Sequence, residues 1–144
     1  MRSWLLIGTA GVCGILCAGF AGCDSGGEKF TPVAGKVTVG GAPLTSGAVT
    51  FQPDADKGNN TKHIPVGNLD AQGNYTVTSA ATPGAPPGWY KVTVTAQEPI
   101  DPKNPYAQPK YLINRKYGEA ATSGLAVEVV AKPAAGAYDF QVTK

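Results

Sequence analysis

The sequence predicts an all-β domain, a seven-stranded antiparallel β-sandwich preceded by an N-terminal signal segment. Three observations carry that expectation. Past Phe30 the apolar residues recur every second position, as a half-buried strand requires. The 144-residue chain holds 19 Gly and 12 Pro, which favours many short elements joined by turns over long helices. No segment of that region shows a sustained helical period.

The elements follow in order. "VAGKVTVG" sets Val37 and Val39 against Lys36 and Thr38, and "GAVTFQP" sets Val49 and Phe51 against Thr50 and Gln52. "HIPVGN" offers Ile64 and Val66 to the core, and Pro65 marks it as an edge strand. "GNYTVTS" contributes Tyr75 and Val77. "WYKVTVTA" contributes Tyr90, Val92 and Val94. "GLAVEVV" contributes Leu125, Val127 and Val129, and "AYDFQVTK" contributes Tyr138, Phe140 and Val142. Between the first two runs, Gly40 and Gly41 are free to take positive φ. In "NLDAQGNY" the Asp70 side chain is placed to accept from amides two residues on, and Gly73 closes the turn.

The N-terminus reads as an export signal. Arg2 is basic, residues 4–22 carry no charge, and the small residues Ala21 and Gly22 precede Cys23. Phe20-Ala21-Gly22-Cys23 resembles the bacterial lipoprotein signal, although Phe20 replaces the usual aliphatic residue. The resemblance implies cleavage before Cys23 and acylation of that residue, and several chains on one Cys make a durable anchor. The organisation expected is a signal over 1–22, a lipidated Cys with a flexible tether over 23–30, and one domain over 31–144. An uncleaved membrane span over 4–22 and plain secretion are the competing readings. Asp24 resembles an inner-membrane retention signal, a rule that differs between lineages, so the receiving membrane stays open as inner or outer. The expected location is the cell envelope, the domain facing the periplasm or exterior.

Composition narrows the chemistry. Charged residues make up 15% and the net charge is +2 with basic residues scattered, which gives no electrostatic reason to propose nucleic acid. Cys13 and Cys17 fall inside the signal, so the mature chain keeps Cys23 alone and has no internal disulfide. His63 is the single histidine and reads as a surface residue; a zinc site would need carboxylates alone as co-ligands. No cofactor and no metal are expected. "PDADKGNN" places Asp54, Asp56 and Asn60 at a spacing that suits calcium, but Gly58 and Pro65 break the EF-hand template, and a solvated loop is the favoured reading.

"VAGKVTVGGAPLTSGAVTFQP", "GNLDAQGNYTV" and "GAPPGWYKVTVTA" together resemble the carboxypeptidase regulatory-like domains of the transthyretin-like superfamily. The matching positions are Gly35, Val37, Gly41, Pro43 and Leu44; Asp70, Gly73 and Tyr75; and Pro87, Gly88, Tyr90 and Val92. The resemblance implies a seven-stranded sandwich whose motif residues are structural, and it implies no catalysis. The related hydroxyisourate hydrolases use several histidines and a Tyr-Arg-Gly-Ser ending, which one His and a Phe-Gln-Val-Thr-Lys ending do not supply.

The stretch 96–124 breaks the rhythm, with Pro99, Pro102, Pro105 and Pro109 and no strand pattern; at roughly 30 residues it is long for a loop in a compact domain. Tyr106, Tyr111, Arg115, Lys116 and Tyr117 offer an aromatic and basic surface, to which Trp89 could add a stacking face. The favoured reading of this stretch has Tyr111, Leu112, Ile113 and Tyr117 capping an open end of the sandwich, since apolar residues in a crossover usually pack. The function expected is a non-enzymatic, membrane-anchored lipoprotein with a structural role or a protein or glycan partner. The alternatives are a carbohydrate-binding module using Trp89 and the loop tyrosines, or a small accessory hydrolase with its site in 96–124.

Overall fold

The computed structural model describes residues 27–144. Cys23, the signal and the first residues of the tether, up to residue 26, lie outside the described residues. Within them, no helix is long and apolar enough to cross a membrane.

Among the described residues the architecture is all-β, with ten short strands in two sheets and only two single-turn 3₁₀ segments. In chain order the strands are β1 (Ala34–Val39), β2 (Ala42–Pro43), β3 (Ala48–Pro53), β4 (Val66–Asn68), β5 (Asn74–Thr76), β6 (Thr78–Ser79), β7 (Thr82–Pro83), β8 (Gly88–Thr95), β9 (Leu125–Val129) and β10 (Phe140–Val142). The larger sheet runs β7-β6-β4-β3-β8-β9. The smaller is built on β1, with β10 on one edge. The other edge of β1 is shared, because the Val37 N–H donates to Gly73 O and Val37 O accepts from Leu44 N–H. β5 therefore pairs the first half of that edge and β2 the second.

The two sheets bury one core between them. Val37, Tyr75, Phe140 and Val142 come from the smaller sheet; Val49, Phe51, Tyr90, Val92, Val94 and Val129 come from the larger. Phe51, fully buried, sits at the centre, with the rings of Tyr90, Tyr75 and Phe140 at 5.8, 6.3 and 6.3 Å. The inward residues of the alternating runs are the core in every run but one, save that Val39 and Leu125 are only partly buried at its margin.

That run is "HIPVGN". Ile64 and Val66 point outward, 57% and 37% exposed, while Pro65 and Gly67 face inward. The expected phase is shifted by one residue, which in a strand exchanges the two faces. The cause is space: a Cβ on Gly67 would lie 2.8 Å from Thr76 O and 2.9 Å from the Tyr75 ring. Only the smallest residue fits there, so its neighbours turn to solvent. Pro65 is accommodated because its carbonyl accepts from Phe51 N–H at 2.8 Å.

Three further features depart from the sequence expectation. The strands are not all antiparallel: β1 and β10 pair in parallel, Val37 beside Phe140 and Val39 beside Val142. No hairpin links strands so far apart in the chain, and period-two alternation carries no direction. The run "GNYTVTS" is divided between sheets, β5 on β1 and β6 on β4, with Val77 N–H donating to Val33 O at the corner. Two short strands, β2 and β7, lie outside the seven alternating runs, β2 in the segment that reads as a turn. The turn chemistry itself is as expected, with positive φ at Gly40, Gly41 and Gly73.

Along the strands the domain has two distinct ends. Residue 27, the 54–65 loop and Trp89 gather where β8 begins. Ala96, the 96–124 segment and residues 143–144 gather where β8 finishes. An eight-residue strand separates them by about 25 Å.

Candidate functional site

The 96–124 segment is more ordered than its proline content suggests. It leaves β8 and folds back on itself, Glu98 N–H donating to Lys110 O at 2.8 Å and Leu112 N–H to Ala96 O at 3.0 Å. Residues 99–109 project from this narrow neck and are exposed throughout, Tyr106 at 94%. Asp101 organises their base, accepting from Lys103 N–H at its side chain and from Asn104 N–H at its carbonyl.

The returning strand then plugs the sandwich. Ile113 and Tyr117 are buried in the core. Asn114 fixes the geometry between them. Its N–H donates to Thr143 O, and its side-chain oxygen accepts from Lys116 N–H, capping the 3₁₀ turn Arg115–Gly118. The Tyr117 hydroxyl reaches Thr143 Oγ1 at 3.3 Å. Tyr117, expected on the contact surface, is therefore a core residue; its phenol ring fills the gap between the two sheets at this end. Ile113 and Tyr117 fit the capping reading, and Leu112 is half-buried beside them.

What remains outside is a ledge. Tyr111 is 40% exposed and the Arg115 guanidinium lies 4.9 Å from its ring centroid, within cation–π range. Beside it opens a groove of about 320 Å³ lined by Glu98, Lys110, Tyr111, Leu112, Ile113 and Lys144. Glu98 and Lys110 are paired at 2.8 Å across it. Among the described residues Arg115 and Lys144 have no carboxylate partner. The Lys116 ammonium lies over the Tyr117 ring, 4.9 Å from its centroid.

Trp89 does not join this ledge. It stands at the other end of β8, half-buried, with the Lys57 ammonium 3.8 Å from its ring centroid. A platform shared by Trp89 and the loop tyrosines does not form, because β8 holds them at opposite ends of the sandwich. The calcium-like loop is likewise reorganised. Asp54 is buried and Asp56 exposed, and the Lys91 ammonium stands 3.3 Å from one and 3.1 Å from the other, where a bound cation would stand. The carboxylates hold the Lys91 ammonium above its ordinary range, Asp56 most strongly. Asp54 Oδ1 receives no aligned hydrogen bond, so its contact with Lys91 is one of charge. Among the described residues no three His, Cys, Asp or Glu side chains gather at metal-binding distance.

The organiser of the 54–65 loop is Asn59, which the sequence reading passed over in favour of Asn60. Asn59 is buried, donates to Trp89 O at 2.9 Å and accepts from Thr61 N–H. In sequence its neighbour Asn60 has the same chemistry; only burial separates them. His63 lies at the surface, its Nε2 3.0 Å from Glu28 and its ring edge-on to Phe30 at 5.2 Å.

No protein-family model matches the chain, and neither a curated protein nor a solved structure matches it.

Proposed function

We propose that the chain is a lipid-anchored envelope protein whose transthyretin-like sandwich presents the Tyr111–Arg115 ledge to a protein partner. The fold-family reading is supported by the motif residues, which occupy tight structural positions: Gly35 under the Tyr138 carbonyl, Gly73 against Val37 O, and Asp70 inside its own turn. The anchor reading is supported by the sequence around Cys23.

The binding reading is carried by one observation. An exposed tyrosine holds over its ring an arginine without a carboxylate partner among the described residues, beside an open groove. Tyr and Arg are the side chains most enriched among the residues that dominate protein interfaces. Stacking presets the guanidinium, so less side-chain freedom is lost when an acidic or carbonyl-rich surface meets it.

The test is a crosslinking pull-down from native envelopes with wild type, Cys23→Ser and Tyr111→Ala/Arg115→Ala. Wild type is expected to recover a discrete partner, and Cys23→Ser to leave the membrane. The double variant is expected to stay membrane-bound and lose the partner at least about tenfold, the cost of removing interface residues worth more than about 1 kcal/mol each. Undiminished recovery by the double variant would overturn the assignment of the ledge.

A further inference from the structure

The chain leaves the domain at a fixed place. Glu28 stands 3.0 Å from His63 Nε2, Phe30 packs edge-on against the same imidazole at 5.2 Å, and Thr31 bridges Ala85. These contacts hold the segment to the sandwich from residue 28 onward, so the link to Cys23 is only a few residues long. The five residue steps from Cys23 to Glu28 span at most about 18 Å when fully extended. Whatever holds Cys23 also holds this end of the sandwich close to it.

The surface around that exit has its own chemistry. Ile64, next to the clamp histidine, is 57% exposed, and Phe30 is half-buried. Trp89 is half-buried with Lys57 over its ring, and Asn59 ties the Trp89 backbone to the loop that ends at His63. Lys29, Lys57 and Lys62 are exposed and have no carboxylate partner among the described residues, whereas Glu28, Asp54 and Asp56 are engaged by His63 and Lys91. Glu128 beside Trp89 and Lys132 complete the charges at this end. Trp and Phe beside exposed lysines is the pairing that suits a membrane–water interface: amphipathic rings sit at the headgroup level and ammonium groups meet lipid phosphates.

We propose that this end docks on an anionic lipid surface, with the Glu28–His63–Phe30 clamp fixing the orientation and the Tyr111–Arg115 ledge pointing away. The proposal rests on the lipid-anchor reading above. It deepens that reading, since β8 places the ledge about 25 Å from the docked end, clear of the headgroups.

The experiment uses the full chain, purified from membranes and reconstituted in phosphatidylethanolamine–phosphatidylglycerol vesicles containing a headgroup nitroxide lipid. A fluorophore is placed by Asn60→Cys, in the same loop as Lys57 and Lys62, or, separately, by Tyr106→Cys. With about 25 Å between the two ends, quenching at position 60 is expected to exceed that at 106 at least about threefold. Adding Glu28→Gln and His63→Ala is expected to shrink the difference while the protein still floats with the vesicles. Equal quenching at both positions in the vesicle-bound protein would overturn the docking proposal and leave the anchor standing. Failure of the protein to float with the vesicles, with a free thiol on Cys23, would overturn the anchor and the docking proposal with it.

Discussion

The Tyr75 hydroxyl donates a 2.6 Å hydrogen bond to the carbonyl oxygen of Tyr138, directly above Gly35. This contact joins β5, β1 and the approach to β10 at one buried point. Gly35 is required there because a Cβ would fall inside the contact distance of that carbonyl. Burial pushes the Tyr75 phenol far above its ordinary range, which favours the protonated, donating hydroxyl. Tyr75→Phe should cost about 1–3 kcal/mol, since it strands a buried acceptor. Gly35→Ala should cost about 3 kcal/mol, at the upper end for overpacking, because the obstacle is backbone. Urea unfolding of both variants checks the order.

Ala80 is the one non-glycine residue with positive φ among the described residues, at 54° in the β6–β7 turn. An L side chain in that region carries about 1–2 kcal/mol of strain. Ala80→Gly relieves it and raises backbone entropy in the unfolded chain, leaving a net gain of up to about 1 kcal/mol. For a domain of this size that is a rise of roughly 4 °C in Tm. Calorimetry measures it, and a fall in Tm would contradict the strain.

Asp70 supplies the pH dependence. Its carboxylate accepts from Asn74 N–H and Gln72 N–H at 2.8 Å each and from the Asn74 side chain at 3.1 Å. These bonds, Asn74 N–H first, hold it below the ordinary carboxylate range. A lowered folded value means stability present above the unfolded value of about 3.9 and lost as pH falls through the lower, folded one. Asp70→Asn should flatten the acid limb of a Tm-against-pH curve below about pH 4. An unchanged limb would contradict the assignment.

The two loop tyrosines should separate stability from binding. Tyr117→Ala empties a core position and should cost about 3–5 kcal/mol. Tyr111→Ala, on the open ledge, should cost about 1 kcal/mol or less. Equal losses in denaturant titration would show that the ledge is structural.

Much of the fold was legible in the residues, because alternation directly reports which side chains are inward. Val49 and Phe51, Tyr90 with Val92 and Val94, and Tyr138 with Phe140 and Val142 follow from it. It misleads at Ile64 and Val66, where Gly67 must face inward for lack of room. Strand direction at β10 and the division of "GNYTVTS" between sheets depend on contacts far apart in sequence. At the candidate site, Tyr111 and Arg115 were legible only among five aromatic and basic residues of the 96–124 stretch; their stacking depends on the fold of the returning segment. The burial of Tyr117 depends on Thr143, and the isolation of Trp89 depends on the length of β8.

The most direct test of a ledge-borne partner is photocrosslinking in living cells. A photoreactive phenylalanine replaces Tyr111 or, on the exposed outer face of β9, Ala126. Irradiation is expected to give a discrete crosslinked band from position 111 that disappears with Arg115→Ala, and none from 126. No band from 111, or the same bands from both positions, would contradict the assignment of the ledge as the binding surface.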